Sequence, residues 1–320
     1  MASDPNRRSF LAASGAAAAL SISGLGQRAA AQPGSSHAGA DDGSSAEAQA
    51  SAIRRIRIPR SGELLPVIGL GTSRTFDADP KAANENLVEV MRKFYAWGGS
   101  LIDSSPMYRR SEEVVGVLNK AVGRDDLFYA TKVWTDKGKE AGITQMHNSE
   151  KLMGTPRFDL MQVHNLVGLE VQLQTLKDWR EQGKVRYIGV TEMRDFDTVE
   201  KLVAGGEIDF IQIPYSVGDR RVEARLLPAC IDHGVGVLVM RPYERGKLFG
   251  QVKGKDLPAW AADFGAASWG QLFLKFILGH QAAMLPIPAT SKGHHLDDNM
   301  AAGLGPVLDE SARKKLIELI

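Results

Sequence analysis

Leu101-Ile102-Asp103-Ser104-Ser105-Pro106-Met107-Tyr108 decides how the chain folds. It is a short apolar run that ends in a carboxylate, with a tyrosine five positions on. Ser111-Glu112-Glu113 then has the composition of a helix start. Parallel α/β folds gather their chemistry at the carboxyl ends of strands, so a charge at the end of an apolar run marks a site. Two later runs end the same way: Phe128-Tyr129-Ala130-Thr131-Lys132-Val133-Trp134 and Leu160-Met161-Gln162-Val163-His164-Asn165. Neighbouring strands lie about 4.8 Å apart, so three consecutive strand ends bring Asp103, Lys132 and His164 within roughly 10 Å of one another.

Outward from that stretch, strand-like and helix-like runs alternate. The strand candidates are 67–70, 100–103, 128–133, 160–164, 187–190, 210–213, 236–240 and 284–287, mostly short continuous apolar runs of the kind buried on both faces. Helical spacing recurs between them, over 86–97, 112–122, 170–182, 197–204, 224–232 and 268–278, and again after Asp309. Ahead of the first strand, 56–59 and 63–65 joined through Ser61-Gly62 read as a small β-hairpin. Repeated strand–helix units from residue 53 to 320 predict a (β/α)8 TIM barrel, α/β in class, preceded by that hairpin. An open doubly wound sheet is the alternative. Its phosphate-binding signature has only a partial counterpart in Gly69-Leu70-Gly71-Thr72-Ser73-Arg74, which lacks the third glycine.

The first residues follow another logic. Arg7-Arg8-Ser9-Phe10-Leu11, a weakly apolar alanine-rich stretch and Ala29-Ala30-Ala31 form the three parts of an export signal, and resemble a twin-arginine signal over 1–31. Residues 32–52, rich in Ser, Gly and Ala, read as a flexible linker. The expectation is therefore a periplasmic or otherwise exported protein, handled by the twin-arginine machinery and without a stable membrane anchor. The formal charge of the chain is +1, too little basic excess for nucleic acid as a main partner. Cys230 is the single cysteine, which rules out an internal disulfide and any multi-cysteine metal site. His147, His280 and His294 have no partners at metal-ligand spacing, so no metal site is expected.

A free phenol titrates near pH 10, so Tyr108 needs a nearby cation if its phenolate is to be favoured. Lys132 is the candidate cation, held by Asp103, while His164 would hydrogen-bond the same substrate oxygen that Tyr108 protonates. Such a group suits hydride delivery to a carbonyl carbon with proton transfer to its oxygen.

Asp103, Tyr108, Lys132 and His164, in this order and on these strands, resemble the catalytic tetrad of the aldo-keto reductase family. The similarity runs from Gly69-Leu70-Gly71-Thr72 through Gly189-Val190-Thr191 and Gln212 to Ile287-Pro288 and Asn299. The resemblance implies a barrel that binds extended NADPH, with NADH possible, and reduces a small aldehyde or ketone with the tyrosine as general acid. It further implies cofactor contacts at Gly71, Thr72, Thr191, Gln212, Arg241, Thr290, Lys292 and Asn299, with Gln212 on the nicotinamide carboxamide and Asn299 near the adenine. Met107 and Trp134 would line the substrate pocket.

Several positions depart from the family pattern. Glu192 stands where asparagine is usual, Met240-Arg241-Pro242 replaces a stretch that often carries an aromatic residue, and Arg109 replaces the glycine after the tyrosine. Ala289 and His295 occupy places where many members carry cations for the ribose 2′-phosphate. The segment from Tyr243 to Gly265, with Trp260 and Phe264, is a candidate lid. Two other functions stay open at this stage: a catalytically silent cofactor-binding barrel serving as redox sensor or partner-binding subunit, and a metal hydrolase using His164 and Asp103.

Overall fold

The computed structural model describes residues 52–80, 84–124 and 126–320. The export signal expected over 1–31 and nearly all of the expected linker lie outside the described residues. No described helix is long and apolar enough to cross a membrane.

Two antiparallel strands, β1 (Arg55–Arg57) and β2 (Leu64–Pro66), form the expected hairpin, with Ile56 opposite Leu65. Eight parallel strands follow: β3 (Leu70–Gly71), β4 (Leu101–Asp103), β5 (Phe128–Val133), β6 (Phe158–His164), β7 (Val185–Thr191), β8 (Phe210–Pro214), β9 (Gly236–Met240) and β10 (Met284–Pro286). Each pairs with the next in sequence, and the sheet closes on itself where Gly69 N donates to Pro286 O, Gly71 N donates to Pro288 O, and Gly71 bridges Ala289. This is the (β/α)8 barrel. The glycines at the seam have a steric cause, since a Cβ on Gly71 would stand 2.6 Å from Ile287 O. The first barrel strand is displaced from the expected 67–70 to Leu70–Gly71 because Val67 still belongs to the hairpin, donating its N–H to Arg54 O.

The outer layer contains α1 (Glu85–Ala96), α2 (Ser111–Val122), α3 (Lys139–Met153), α4 (Leu169–Glu181), α5 (Phe196–Ala204), α6 (Leu226–Asp232), α7 (Lys247–Gln251), α8 (Trp269–Leu278), α9 (Gly293–Ala301) and α10 (Glu310–Leu319). One apolar core lies between these helices and the strands, including Leu87, Val90, Phe94, Val115, Leu176 and Phe276. A second fills the barrel interior with Leu101, Phe128, Leu160, Phe210, Leu238 and Leu285, capped from below by Ile58 and Leu65 of the hairpin segment.

Charges fasten that floor. Asp159 accepts from Tyr129 N at 2.8 Å and Arg186 Nη1 at 2.6 Å, and Glu63 of the hairpin pairs with Arg186 and accepts from Tyr187 OH at 2.7 Å. Asp209 accepts from Ile188 N at 2.9 Å and Arg180 Nη1 at 3.1 Å, with Arg60 Nη1 at 3.6 Å. The opposite end of the barrel carries the strain. Among the described residues, every non-glycine with positive φ follows a strand's carboxyl end: Arg74, Arg109, Asn165, Leu166, Arg241, Glu244 and Arg245.

Candidate active site

Asp103 closes β4 and is 2% exposed. Its carboxylate accepts from Lys132 Nζ at 2.8 Å on each oxygen, while the same ammonium donates to Ser104 O at 2.6 Å. Lys132 lies in β5 and is 1% exposed, so the pair is an ion pair removed from water. A buried ion must be satisfied on all sides to be tolerated, and here the three donor contacts do that. Burial opposes the Lys132 charge. The carboxylate of Asp103 and the nearby Tyr108 nevertheless raise its pKa above the usual lysine value.

Two glutamines complete the carboxylate's shell: Gln162 Nε2 donates to it at 3.3 Å and Gln212 Nε2 at 3.0 Å. Gln162 was not singled out from the sequence. It lies two residues before His164 on β6, and the two-residue repeat of a strand puts both on one face. The turn after Asp103 is braced by Thr72, whose hydroxyl donates towards Asp103 O at 3.0 Å and Ser104 Oγ at 2.9 Å.

Tyr108 ends a 3-10 turn, Pro106–Tyr108, whose first N–H groups are capped by Ser105. Lys132 Nζ stands 5.2 Å from the centre of its ring, and the His164 ring meets it edge-on at 5.8 Å. From the sequence, Lys132 was expected to favour the Tyr108 phenolate. It does pull in that direction, but burial is the larger influence and the Tyr108 pKa is raised, so the phenol keeps its proton. His164, 5% exposed, is pushed down to about 3 by burial and then by the Lys132 charge, and is neutral at physiological pH. Behind Lys132 lies another carboxylate, Glu112, fully enclosed at the start of α2 and accepting from Thr131 Oγ1 at 2.5 Å and Ser149 Oγ at 3.0 Å. Burial raises its pKa, against the pull of those two hydroxyls.

Met107 and Trp134 are 45% and 39% exposed, which places them at the open mouth and not in the core. Trp134 lies 6.5 Å from the His164 ring. Arg109 has φ 55 and ψ −107, a conformation suited to glycine, and pairs at the surface with Asp77 at 3.3 Å.

Unmet hydrogen-bonding capacity marks the mouth of the barrel as a place to bind a ligand. The Oε1 atoms of Gln212 and Gln162 are buried with no partner, although the Nε2 atoms are used. Buried amide oxygens are rarely left in that state, and an amide N–H of a ligand would satisfy Gln212. Arg241, the first residue after β9, is held below the usual arginine value by burial and by Arg245 and Arg74 beside it, a concentration of positive charge suited to phosphate. Thr191 closes β7 and accepts from Asn165 N at 3.0 Å. Thr290 accepts from Lys292 N at 3.1 Å, directly before α9, and Lys292 and Ala289 are exposed. Asn299, on α9, accepts from Tyr243 OH at 2.5 Å, which ties the start of the 243–265 segment to that helix. Trp260 and Phe264 of the same segment pack onto the core. Glu192 turns back on its own loop, accepting from Met193 N at 2.7 Å and Arg194 N at 2.9 Å.

The model of the aldo/keto reductase family matches residues 67–319. An Escherichia coli protein named NADH-specific methylglyoxal reductase is 29% identical over 233 residues, covering 64% of this chain and 70% of that one. The aldo-keto reductase yakc (NADP(+)) of Schizosaccharomyces pombe is 26% identical over 287 residues, covering 75% and 84%. Among solved structures, an aldo/keto reductase from Klebsiella pneumoniae, in complex with NADP and acetate, superposes with a TM-score of 0.72 at 24% identity, over 83% of this chain and 95% of that one. The match extends through the whole barrel, and the chain belongs to the aldo/keto reductase family, whose members are NAD(P)H-dependent oxidoreductases.

Proposed function

We propose that the protein reduces a small aldehyde or ketone to the alcohol with NADPH, accepting NADH as well, and that Tyr108 is the general acid. The bound cofactor supplies the hydride for the carbonyl carbon. Everything else falls to the chain. Tyr108, kept protonated by burial, gives its proton to the carbonyl oxygen as negative charge develops there. Lys132, immobilised by Asp103 and Ser104, stabilises the phenolate that remains. Neutral His164 offers a ring N–H to the same oxygen. The observation that carries this reading is the position of Lys132, tethered on one side by Asp103 and facing the Tyr108 ring at 5.2 Å on the other.

Gln212 would hold the carboxamide, and Arg241 with its neighbouring arginines the phosphates. Lys292 is the cation left for a 2′-phosphate, since Ala289 has no charge there and His295 is held below its usual pKa by burial and by His294 and Lys292. That reduced set supports shared use of the two cofactors, and the relatives named above include one of each kind. The methylglyoxal reductase makes 2-oxoaldehydes the first substrates to try.

The test is Tyr108→Phe. The ring stays and the proton donor goes, so kcat should fall by at least about 100-fold with cofactor affinity unchanged. A variant that reduces carbonyl compounds at near wild-type rate overturns the role of Tyr108. A wild-type protein that binds NADPH but turns over no carbonyl in a broad panel is the silent barrel instead.

A further inference from the structure

Ser105 lies between two of the groups just described. Its hydroxyl oxygen accepts from Met107 N at 3.1 Å, capping the turn that carries Tyr108, and the same oxygen stands 2.9 Å from Nδ1 of His164. Ser105 is fully buried and His164 is 5% exposed, so water does not complete the hydroxyl's bonding. The His164 ring is neutral, and a neutral imidazole has one N–H and one bare nitrogen. If Nδ1 bore the proton, Ser105 would accept from both Met107 and His164, and its own buried proton would have no acceptor. If Nδ1 is bare, the hydroxyl donates to it, accepts from Met107, and every group is satisfied. The second arrangement leaves the proton on Nε2, which has no protein partner among the described residues, on a ring whose centre lies 5.8 Å from that of Tyr108 and 6.5 Å from that of Trp134.

We propose that Ser105 is a positioning residue that fixes the tautomer and orientation of His164, so that its Nε2–H points at the substrate carbonyl oxygen. The inference rests on the proposed carbonyl reduction for its effect on rate, but the tautomer is measurable without turnover. One side chain thereby sets both donors to that oxygen: the Tyr108 turn through the Met107 N–H, and the imidazole through Nδ1.

Histidine-selective ¹⁵N spectra of the full chain at pH 7, with the His164 signal assigned by its loss in His164→Gln, read the ring directly. The wild-type protein should show a protonated Nε2 and a bare Nδ1. In Ser105→Ala the two nitrogen shifts should converge or broaden, and kcat should fall about tenfold, a fraction of the loss on deleting an oxyanion donor, with KM and cofactor affinity within about twofold. Ser105→Thr keeps the hydroxyl, and should keep the wild-type ring spectrum; it also serves if the alanine variant does not fold. A wild-type ring protonated on Nδ1 overturns the proposal. So does Ser105→Ala with unchanged ring nitrogens, whether or not its rate falls, because a rate loss alone would make Ser105 only a brace for the Tyr108 turn.

Discussion

The two ends of the barrel are built from the same strands and treat polarity in opposite ways. At the floor, Asp159, Asp209 and Glu63 are each matched by a guanidinium and by a further backbone or hydroxyl donor. At the mouth, two buried glutamine oxygens have no partner and Arg241 is crowded by other arginines. Backbone strain divides the same way. The return turns at the floor reach positive φ on glycine, as at Gly123 and Gly154 after α2 and α3, whereas arginines, an asparagine, a leucine and a glutamate do so at the mouth. Apart from the buried Ser100 hydroxyl just before β4, which has no partner, the floor's charges are satisfied and stabilise, whereas the end left unsatisfied can bind. Strained, under-bonded residues collect where a ligand or a reaction can use them.

Substituting one lysine and one arginine should break the comparison most visibly. Lys132→Met removes the cation beside Tyr108 and leaves the Asp103 carboxylate buried without its ion. It should lower kcat by about 100-fold or more and cost roughly 3–5 kcal/mol of stability. Arg186→Met at the floor should cost about 1–3 kcal/mol of stability and leave kcat/KM unchanged. Denaturant titration together with steady-state kinetics on both variants separates the two ends; loss of activity in a folded Arg186→Met protein would show that they are coupled.

A smaller effect is set by pH. Burial and the Lys132 charge hold His164 at about 3 in the folded protein, against about 6.5 in an unfolded chain. Below pH 6.5 the unfolded state therefore takes up a proton that the folded state refuses. The stabilisation is complete above about 6.5 and is lost, at ~1.4 kcal/mol per pH unit, as pH falls towards 3. Unfolding curves at pH 6.5 and pH 5 should bring wild type and His164→Asn closer by ~2 kcal/mol at the lower pH. A constant gap would mean that the imidazole becomes charged within the fold.

The smallest change acts on strain. Arg109→Gly removes a side chain from a backbone conformation that glycine adopts freely, at the loss of one exposed ion pair. It should stabilise by about 1 kcal/mol, raising Tm by about 2–4 °C, with kcat nearly unchanged. A fall in Tm would show that the surface pair with Asp77 outweighs the strain.

The barrel was legible because apolar runs ending in Asp103, Lys132 and His164 recur at regular intervals. Helix α3 was harder to see, since it packs through small and polar residues: Gly142 lies against Gln172, and Ser149 donates to Glu112. Its apolar periodicity is correspondingly weak. Asp103, Lys132 and His164 could be read from strand ends, and Gln162 could have been, two residues before His164. Ser105 and Glu112 could not, because each acts through contacts with residues distant in sequence, His164 for one and Thr131 with Ser149 for the other. The direction of the Tyr108 shift was also out of reach, since the sequence names the cation beside the phenol but not how deeply the phenol is buried.

The seam of the barrel has a consequence for the order in which the protein can be made. Strands β4 to β8, which hold Asp103, Lys132, Gln162, His164 and Gln212, pair with their immediate successors, so those ladders can form while synthesis proceeds. Gly71, by contrast, must wait for Ala289, and until then the first strand has no partner on that side. The most distant pairing is thus the one that turns a curved sheet into a cylinder, and it joins the Thr72 brace of the turn after Asp103 to the segment carrying Thr290 and Lys292. A growing chain can bring Asp103, Lys132 and His164 into register early, yet Thr290 and Lys292 can join them only after the last strand has emerged.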